Sequence, residues 1–84
     1  MKISPHYFKY DIKGTPISFN KGQEIVINQH RITIIRPCYD KNTDTHFYWL
    51  DIAGHSMRFM IGEEDYNKIN NFLIFCWVLF VADV

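Results

Sequence analysis

The residues best placed to do chemistry are three polar side chains at alternate positions, Asp40, Asn42 and Asp44. An EF-hand calcium loop takes oxygen ligands from its positions 1, 3 and 5, and Asp51 stands at position 12, where such a loop ends. That loop also needs a glycine at position 6 and a bidentate glutamate at position 12, whereas this chain has Thr45 and the shorter Asp51. The flanking residues are typical of strands rather than helices. We therefore expect a polar β-hairpin loop here and no metal site.

The remaining candidates for catalysis are weaker. Cys38 and His46 have the residue types of a nucleophile and its base, but no third group is placed to orient them. The histidines do not form an HExxH or similar zinc motif, and no phosphate-binding glycine loop or acid/base carboxylate pair is present. We expect a protein that is not an enzyme and has no cofactor. Cys38 and Cys76 lack CxxC spacing, and we expect both to remain thiols in a reducing compartment.

Composition narrows the class of protein. The chain of 84 residues is 48% hydrophobic and 17% aromatic, which favours a single globular domain over residues 1–84 and excludes a disordered tail. Its formal net charge is zero, whereas a DNA mimic should be strongly acidic and a nonspecific nucleic-acid binder is usually basic. The start "MKISPHYFKY" lacks the apolar region of a secretory signal, so we expect a cytoplasmic protein.

Alternating residues predict the first strands. Residues 7–12 place Phe8, Tyr10 and Ile12 on one side, "KGTP" supplies turn residues, and "ISFNKG" gives a second strand. The runs "QEIVI" and "RITIIR" then predict a hairpin with a loop over residues 28–31. Its register places Ile27 opposite Ile32 and Ile25 opposite Ile34 on one face.

A second hairpin is predicted around Gly54 and His55, which fit a two-residue type II′ turn. In the resulting register, one face carries pairs of apolar residues. The other face carries an ion pair beside an aromatic residue. The predicted pairs are Ile52 with Met57, Leu50 with Phe59, Tyr48 with Ile61, Asp51 with Arg58, and Trp49 with Met60.

The segment after Gly62 begins with three acidic residues, which favour a helix N-terminus. Apolar residues at helical spacing then favour one continuous helix, with a short helix ending near Asn71 and a last strand as the alternative. The apolar run over residues 72–82 is shorter than the roughly 20 residues of a membrane span. Because this segment is apolar nearly all round, we expect a homodimer in which it self-associates through Phe72, Phe75 and Leu79.

The outer face of the second hairpin is the candidate partner site. Phe47, Trp49 and Met60 are expected to project outward beside Arg58, joined by Tyr39. Aromatic residues, Met and Arg are enriched at protein interfaces. The alternative is that the C-terminal helix covers this face and makes it a second core.

The fold expected is α+β: a curled antiparallel sheet or small barrel of five to six strands, with a C-terminal helix packed on it. Over residues 7–66 the order of "YFKYDIKGTPISFNKGQEIVI" and "FYWLDIAGHSMRFMIGEEDY" resembles an SH3-like small barrel. The resemblance implies the barrel architecture and no peptide specificity, because the aromatic dipeptide here is Tyr48-Trp49 and the acidic diverging-turn pattern is absent.

These features predict a non-enzymatic protein-binding module that acts as a small regulator or inhibitor. The excess of Lys, Asn, Ile, Phe and Tyr is typical of an AT-rich gene of a phage or mobile element, which suggests a host-defence inhibitor of the anti-CRISPR or anti-restriction type. The alternative is a small-barrel nucleic-acid-binding protein that stacks bases on aromatic side chains, with Lys9, Arg31 and Arg58 on phosphates.

Overall fold

The structure, a computed structural model, describes residues 1–54, 56 and 58–82, with helix side chains as far as Ile74. It has the expected α+β fold, with a C-terminal helix on an antiparallel sheet. The elements are β1 (Lys2–Ile3), β2 (His6–Tyr10), β3 (Pro16–Lys21), β4 (Ile25–Val26), a 3-10 turn (Gln29–Arg31), β5 (Ile32–Asp40), β6 (Thr45–Ile52), β7 (Phe59–Ile61) and α1 (Glu63–Ala82).

Five strands form the main sheet in the order β3-β2-β7-β6-β5, and β1 and β4 form a separate pair. Every pairing is antiparallel. Within the described residues β3 and β5 remain the two edges, so the sheet does not close into a barrel. Of the two architectures expected from the sequence, the open sheet is the one that forms.

The β2–β3 hairpin forms as predicted, with Phe8 opposite Phe19. Its turn needs Gly14, whose φ of +83° lies in the left-handed region that favours glycine. A register shift between Lys9 and Tyr10 sets Tyr10 opposite Pro16.

The predicted register of the β6–β7 hairpin is confirmed. Tyr48 lies opposite Ile61, Trp49 opposite Met60 and Leu50 opposite Phe59. Beyond these pairs, Arg58 Nε lies 3.1 Å from Asp51 Oδ1, which is the predicted cross-strand ion pair. Gly54 has a φ of +89° at the turn, whereas His55 and the expected partner of Ile52, Met57, lie outside the described residues.

The predicted hairpin between residues 25 and 34 is wrong. Ile25 pairs with Ile3 of β1 instead, and Ile27 exchanges two backbone hydrogen bonds with Met1, one of them from the terminal amino group. Asn28 ends this ladder because its side chain accepts from His30 N and caps the 3-10 turn. β5 then leaves toward β6 rather than returning along β4.

The C-terminal segment is one helix, so the alternative of a last strand is wrong. α1 packs on the sheet face that carries Leu50 and Ile61, and Ile69 is its fully buried contact. Asp65 in its first turn accepts the backbone N–H of Ser4 at 2.8 Å and links β1 to the helix. Buried apolar side chains from β1, β6, β7, α1 and the residue that follows β4 make the core: Ile3, Ile27, Leu50, Ile52, Ile61 and Ile69.

The hydropathy of α1 agrees with the expectation of no membrane span. No helix in the described part of the chain is long and apolar enough to cross a membrane.

Candidate functional site

The sheet of β5, β6 and β7 has two faces with different neighbours. Directly opposed residues of antiparallel strands point to the same face, and successive residues alternate. Tyr48 and Leu50 face α1, where the ring of Tyr48 stacks on Tyr66 with centroids 3.8 Å apart. Trp49 therefore points away from the helix, and the expected alternative, in which α1 covers the face of Trp49, is wrong.

A row of three side chains crosses the face opposite α1. Arg36 of β5 lies opposite Trp49 of β6, which lies opposite Met60 of β7. Arg58, two residues before Met60, lies on the same face and is exposed. We call the surface formed by Arg36, Trp49, Arg58 and Met60 the Trp49 face. The sequence predicted three of these residues and missed Arg36, which only the β5–β6 register brings beside Trp49.

Phe47 does not project outward as predicted, because it is only 8% exposed. The rings of Phe8 and Phe19 from the β2–β3 hairpin lie 5.2 and 5.6 Å from its ring. The two faces of β6 are thus covered differently: α1 packs on one, and the curled β2–β3 hairpin covers Phe47 at one end of the other. Phe47 instead supports Trp49, whose ring lies edge-on at 6.2 Å.

Tyr39 does not join the Trp49 face. It lies opposite His46, one residue out of step with Cys38 and Phe47, so its side chain points to the other side of the sheet. Its ring packs 4.7 Å from His46, and its hydroxyl donates to Asp44 Oδ1 at 2.6 Å. This hydrogen bond raises the pKa of Tyr39 above its ordinary value, and the nearby charge of Asp44 acts in the same direction.

The charge of the Trp49 face is positive. The guanidinium of Arg58 is paired with Asp51, whose side chain is mostly buried. Arg36 is exposed and forms no ion pair with any residue that the structure describes. The guanidinium of Arg58, paired with Asp51, and the guanidinium of Arg36, which has no such partner among the described residues, therefore lie on either side of the Trp49 ring.

The polar segment that resembles a calcium loop is the β5–β6 hairpin loop, as predicted. Asp40 Oδ2 accepts from both the backbone N and the hydroxyl of Thr43, at 2.9 and 2.7 Å. Asp44, at a left-handed φ of +50°, holds Tyr39. The carboxylates of Asp40 and Asp44 thus accept hydrogen bonds from other residues of the same hairpin, while Asp51 forms the ion pair with Arg58.

Cys38 and His46 are not brought together. Cys38 lies opposite Phe47, and His46 lies opposite Tyr39, so the thiol and the imidazole point to opposite faces of the sheet. The imidazole of His46 is therefore not placed to take a proton from the thiol of Cys38.

The residues expected to self-associate lie in the second half of α1. Phe72 is partly buried, with its ring edge-on to His30 at 5.2 Å. The side chains of Phe75 and Leu79 lie outside the described part of the helix. The preceding turn shows where the sheet stops covering α1: Ile69 is fully buried, whereas Leu73, one turn later on the same stripe, is 40% exposed.

Comparisons with known proteins add no relative. No protein family, curated protein or solved structure compared with the chain matches it.

Proposed function

We propose that the chain is a non-enzymatic protein-binding module that acts as a small regulator or inhibitor, and that it contacts its partner through the Trp49 face. The observation that carries this proposal is the row of Arg36, Trp49 and Met60 across the sheet face that α1 leaves uncovered. Trp and Arg dominate the binding free energy of protein interfaces, and Met is enriched there.

The support beneath Trp49 favours a role in binding. The ring is held edge-on by Phe47, which is itself enclosed by Phe8 and Phe19. A side chain that is ordered before the partner arrives loses less conformational entropy on association. The Trp49 face is thus a rigid surface with a partly exposed aromatic ring at its centre.

The charge of the face suggests the chemistry of the partner. Arg36 has no carboxylate partner among the described residues, so an acidic group of another protein would gain a charge-assisted hydrogen bond there. The net charge of the chain is zero, so we expect a local ion pair rather than long-range steering. An acidic segment that places an apolar side chain against Trp49 fits both features.

The composition gives the proposal a concrete form. An AT-rich gene is common in phages and other mobile elements, and small proteins that block host defence act by binding a host protein. We propose a host-defence inhibitor of the anti-CRISPR or anti-restriction type, acting in the cytoplasm.

Affinity capture from host lysate tests the Trp49 face. The wild-type protein should retain a host protein in fixed stoichiometry, and Arg36→Glu should lose it because the substitution places a negative charge beside Trp49. Lys41→Glu is the matched control, since it makes the same charge change in the exposed β5–β6 loop. Failure of the wild type to retain any stoichiometric protein, or equal losses in the two variants, would contradict the proposal.

The rival function, binding of single-stranded nucleic acid, is favoured by the same pairing of an aromatic ring with arginines. A base stacked on Trp49 would gain about 1–3 kcal/mol, and phosphates would contact Arg36 and Arg58. The Trp77→Phe variant leaves Trp49 as the only tryptophan, because the chain has two. Salt-sensitive quenching of its fluorescence by oligonucleotides at low salt would favour the rival, and we expect none.

We also propose a homodimer built on the second half of α1. Leu73 and Ile74, at the end of the part of α1 whose side chains the structure describes, are exposed, and this supports the proposal. The apolar run then continues to Ala82. The chain has a radius of gyration of 14.7 Å, whereas a compact domain of this length should have about 12 Å. The same helix of a second copy is the simplest cover for such a segment.

A further inference from the structure

The turn between β2 and β3 ends in an apolar tip. Ile12 stands at its apex and is fully exposed. Tyr10 and Ile17, on the two sides of the turn, are 57% and 61% exposed. We call residues 9–17 the hairpin tip. These three large side chains at the end of the hairpin lie outside the core.

The backbone of the hairpin tip is closed on itself. Asp11 Oδ1 accepts the N–H groups of Lys13 and Thr15 at 2.8 and 2.9 Å. Asp11 N donates to Thr15 O, and Gly14 N donates to Asp11 O, both at 3.0 Å. These bonds pair the backbone N–H groups of Asp11, Lys13, Gly14 and Thr15, which lowers the cost of removing the turn from bulk water. They also hold Ile12 at the apex.

The charges of the tip complete the pattern. Lys9 and Lys13 are exposed on either side of the exposed Asp11, so the tip carries a net charge of +1, and neither lysine forms an ion pair within the described part of the chain. Lys9 lies on β2 behind the turn, whereas Lys13 lies in the turn beside Ile12. Tyr10 lies between Lys9 and Ile12. An apolar side chain at the apex, a tyrosine and a lysine behind it, and a net positive charge suit an anionic membrane surface.

We infer that the hairpin tip inserts peripherally into an anionic lipid surface, with Ile12 at the boundary of headgroups and acyl chains. Lys9 and Lys13 contact lipid phosphates and carboxylates. The projecting apex of a hairpin fits a deformable lipid surface, whereas the Trp49 face, which lies across three strands, suits a folded protein. This activity is additional to protein binding and would place the regulator at a membrane.

Cosedimentation with lipid vesicles tests the inference. The full chain should bind phosphatidylcholine vesicles that contain phosphatidylserine, and bind more weakly to phosphatidylcholine alone. Ile12→Ser should lower the partition coefficient about tenfold or more, because it removes the inserted apolar side chain. Val26→Ser is the matched control, since Val26 is also a largely exposed β-branched residue, 73% exposed, but lies on β4. Its partition coefficient should not change.

The lysines provide a second measurement. Lys9→Gln and Lys13→Gln should each weaken binding to the anionic vesicles about fivefold, equivalent to about 1 kcal/mol per lysine, and leave binding to phosphatidylcholine unchanged. Absence of wild-type binding to anionic vesicles would overturn the inference. Binding that Ile12→Ser leaves intact, as the apolar half of α1 would produce, would overturn it too.

The two proposed surfaces can fail separately. Arg36→Glu, which should abolish capture of the protein partner, should bind anionic vesicles nearly as the wild type does. If Ile12→Ser loses the protein partner and keeps vesicle binding, the tip is a protein contact and the lipid inference is wrong.

Discussion

At the residue scale, the hydrogen bond between Tyr39 and Asp44 gives a direct spectroscopic test of the β5–β6 loop. The bond favours the neutral phenol, so the pKa of Tyr39 is raised in the folded protein. A raised folded-state pKa means that the folded state holds the proton longer than the unfolded state. Any stability from this bond is therefore complete below about pH 10 and is lost as the pH rises through the folded-state pKa.

We predict that Asp44→Gly lowers the pKa of Tyr39 toward its ordinary value, because it removes both the acceptor and the nearby charge. Glycine suits the φ of +50° at this position, so the loop should keep its shape. An absorbance titration of the phenolates should show one of the five tyrosines ionising at lower pH. Tyr39→Phe should remove that component from both curves. Identical curves for wild type and Asp44→Gly would contradict the geometry of the loop.

Gly22 provides a stability test at the same scale. A Cβ at this position would lie 2.5 Å from the carbonyl oxygen of Pro5, which also accepts the Gly22 N–H at 2.8 Å. Gly22→Ala must therefore move the end of β3, and we expect the free energy of unfolding to fall by about 1–3 kcal/mol. Urea denaturation measures this loss.

Gly62→Ala is the comparison for Gly22→Ala. Its Cβ would lie 3.1 Å from His6 Nε2, a side-chain atom that can shift by a few tenths of an ångström. We expect a smaller loss there. Equal losses at the two glycines would show that Pro5 and Gly22 are not packed as described.

At the element scale, burial falls along the described part of α1. Asp65, Tyr66 and Ile69 tie the start of the helix to Ser4, Tyr48 and the core. Leu73 and Ile74 are exposed. Each large apolar side chain that stays in water forgoes about 1.5–3 kcal/mol of burial free energy. Contact with the same helix of a second copy would recover that free energy.

We therefore predict that Phe75→Asp or Leu79→Asp weakens the homodimer at least about 100-fold, because each substitution acts twice across a two-fold interface. Sedimentation at micromolar concentration should show a dimer for the wild type and a monomer for either variant. Asn71→Asp, an added charge at an exposed position of the same helix, is the control. A well-folded wild-type monomer at micromolar concentration would contradict the self-association proposal.

The elements differ in how far local sequence determines them. The β6–β7 register was predictable because alternation and Gly54 agree on one set of pairs, including Asp51 with Arg58. The pairing of Ile25 was not, because its partner Ile3 lies 22 residues away and competes with a nearer β-branched run. The resemblance to an SH3-like small barrel stays a proposal about the fold, and the sheet formed by the described residues is open.

The candidate site was likewise predictable only where its residues come from one hairpin. Trp49, Arg58 and Met60 were predictable from a single hairpin, whereas Arg36 joins them only through β5. The burial of Phe47 depends on how far the β2–β3 hairpin curls, which alternation in residues 7–12 does not encode. Tyr39 was assigned to the wrong face because its register is set by the length of the β5–β6 loop.

At the scale of the whole molecule, we propose three separate contact surfaces on a small sheet protein. The Trp49 face has a supported aromatic ring beside Arg36, which forms no ion pair in the described part of the chain. The second half of α1 has an apolar sequence, and the hairpin tip has Ile12. A neutral net charge leaves short-range contacts to provide the specificity. The central claim is that a protein partner binds the first of these surfaces.

Native mass spectrometry of the protein purified from its own host tests that claim most directly, because it reports partner mass and stoichiometry together. The account predicts a complex in which a dimer of this chain carries a host protein in fixed ratio. In Arg36→Glu the partner mass should disappear while the dimer remains. A wild-type spectrum that contains the chain without any protein partner, or an Arg36→Glu spectrum identical to that of the wild type, would contradict it.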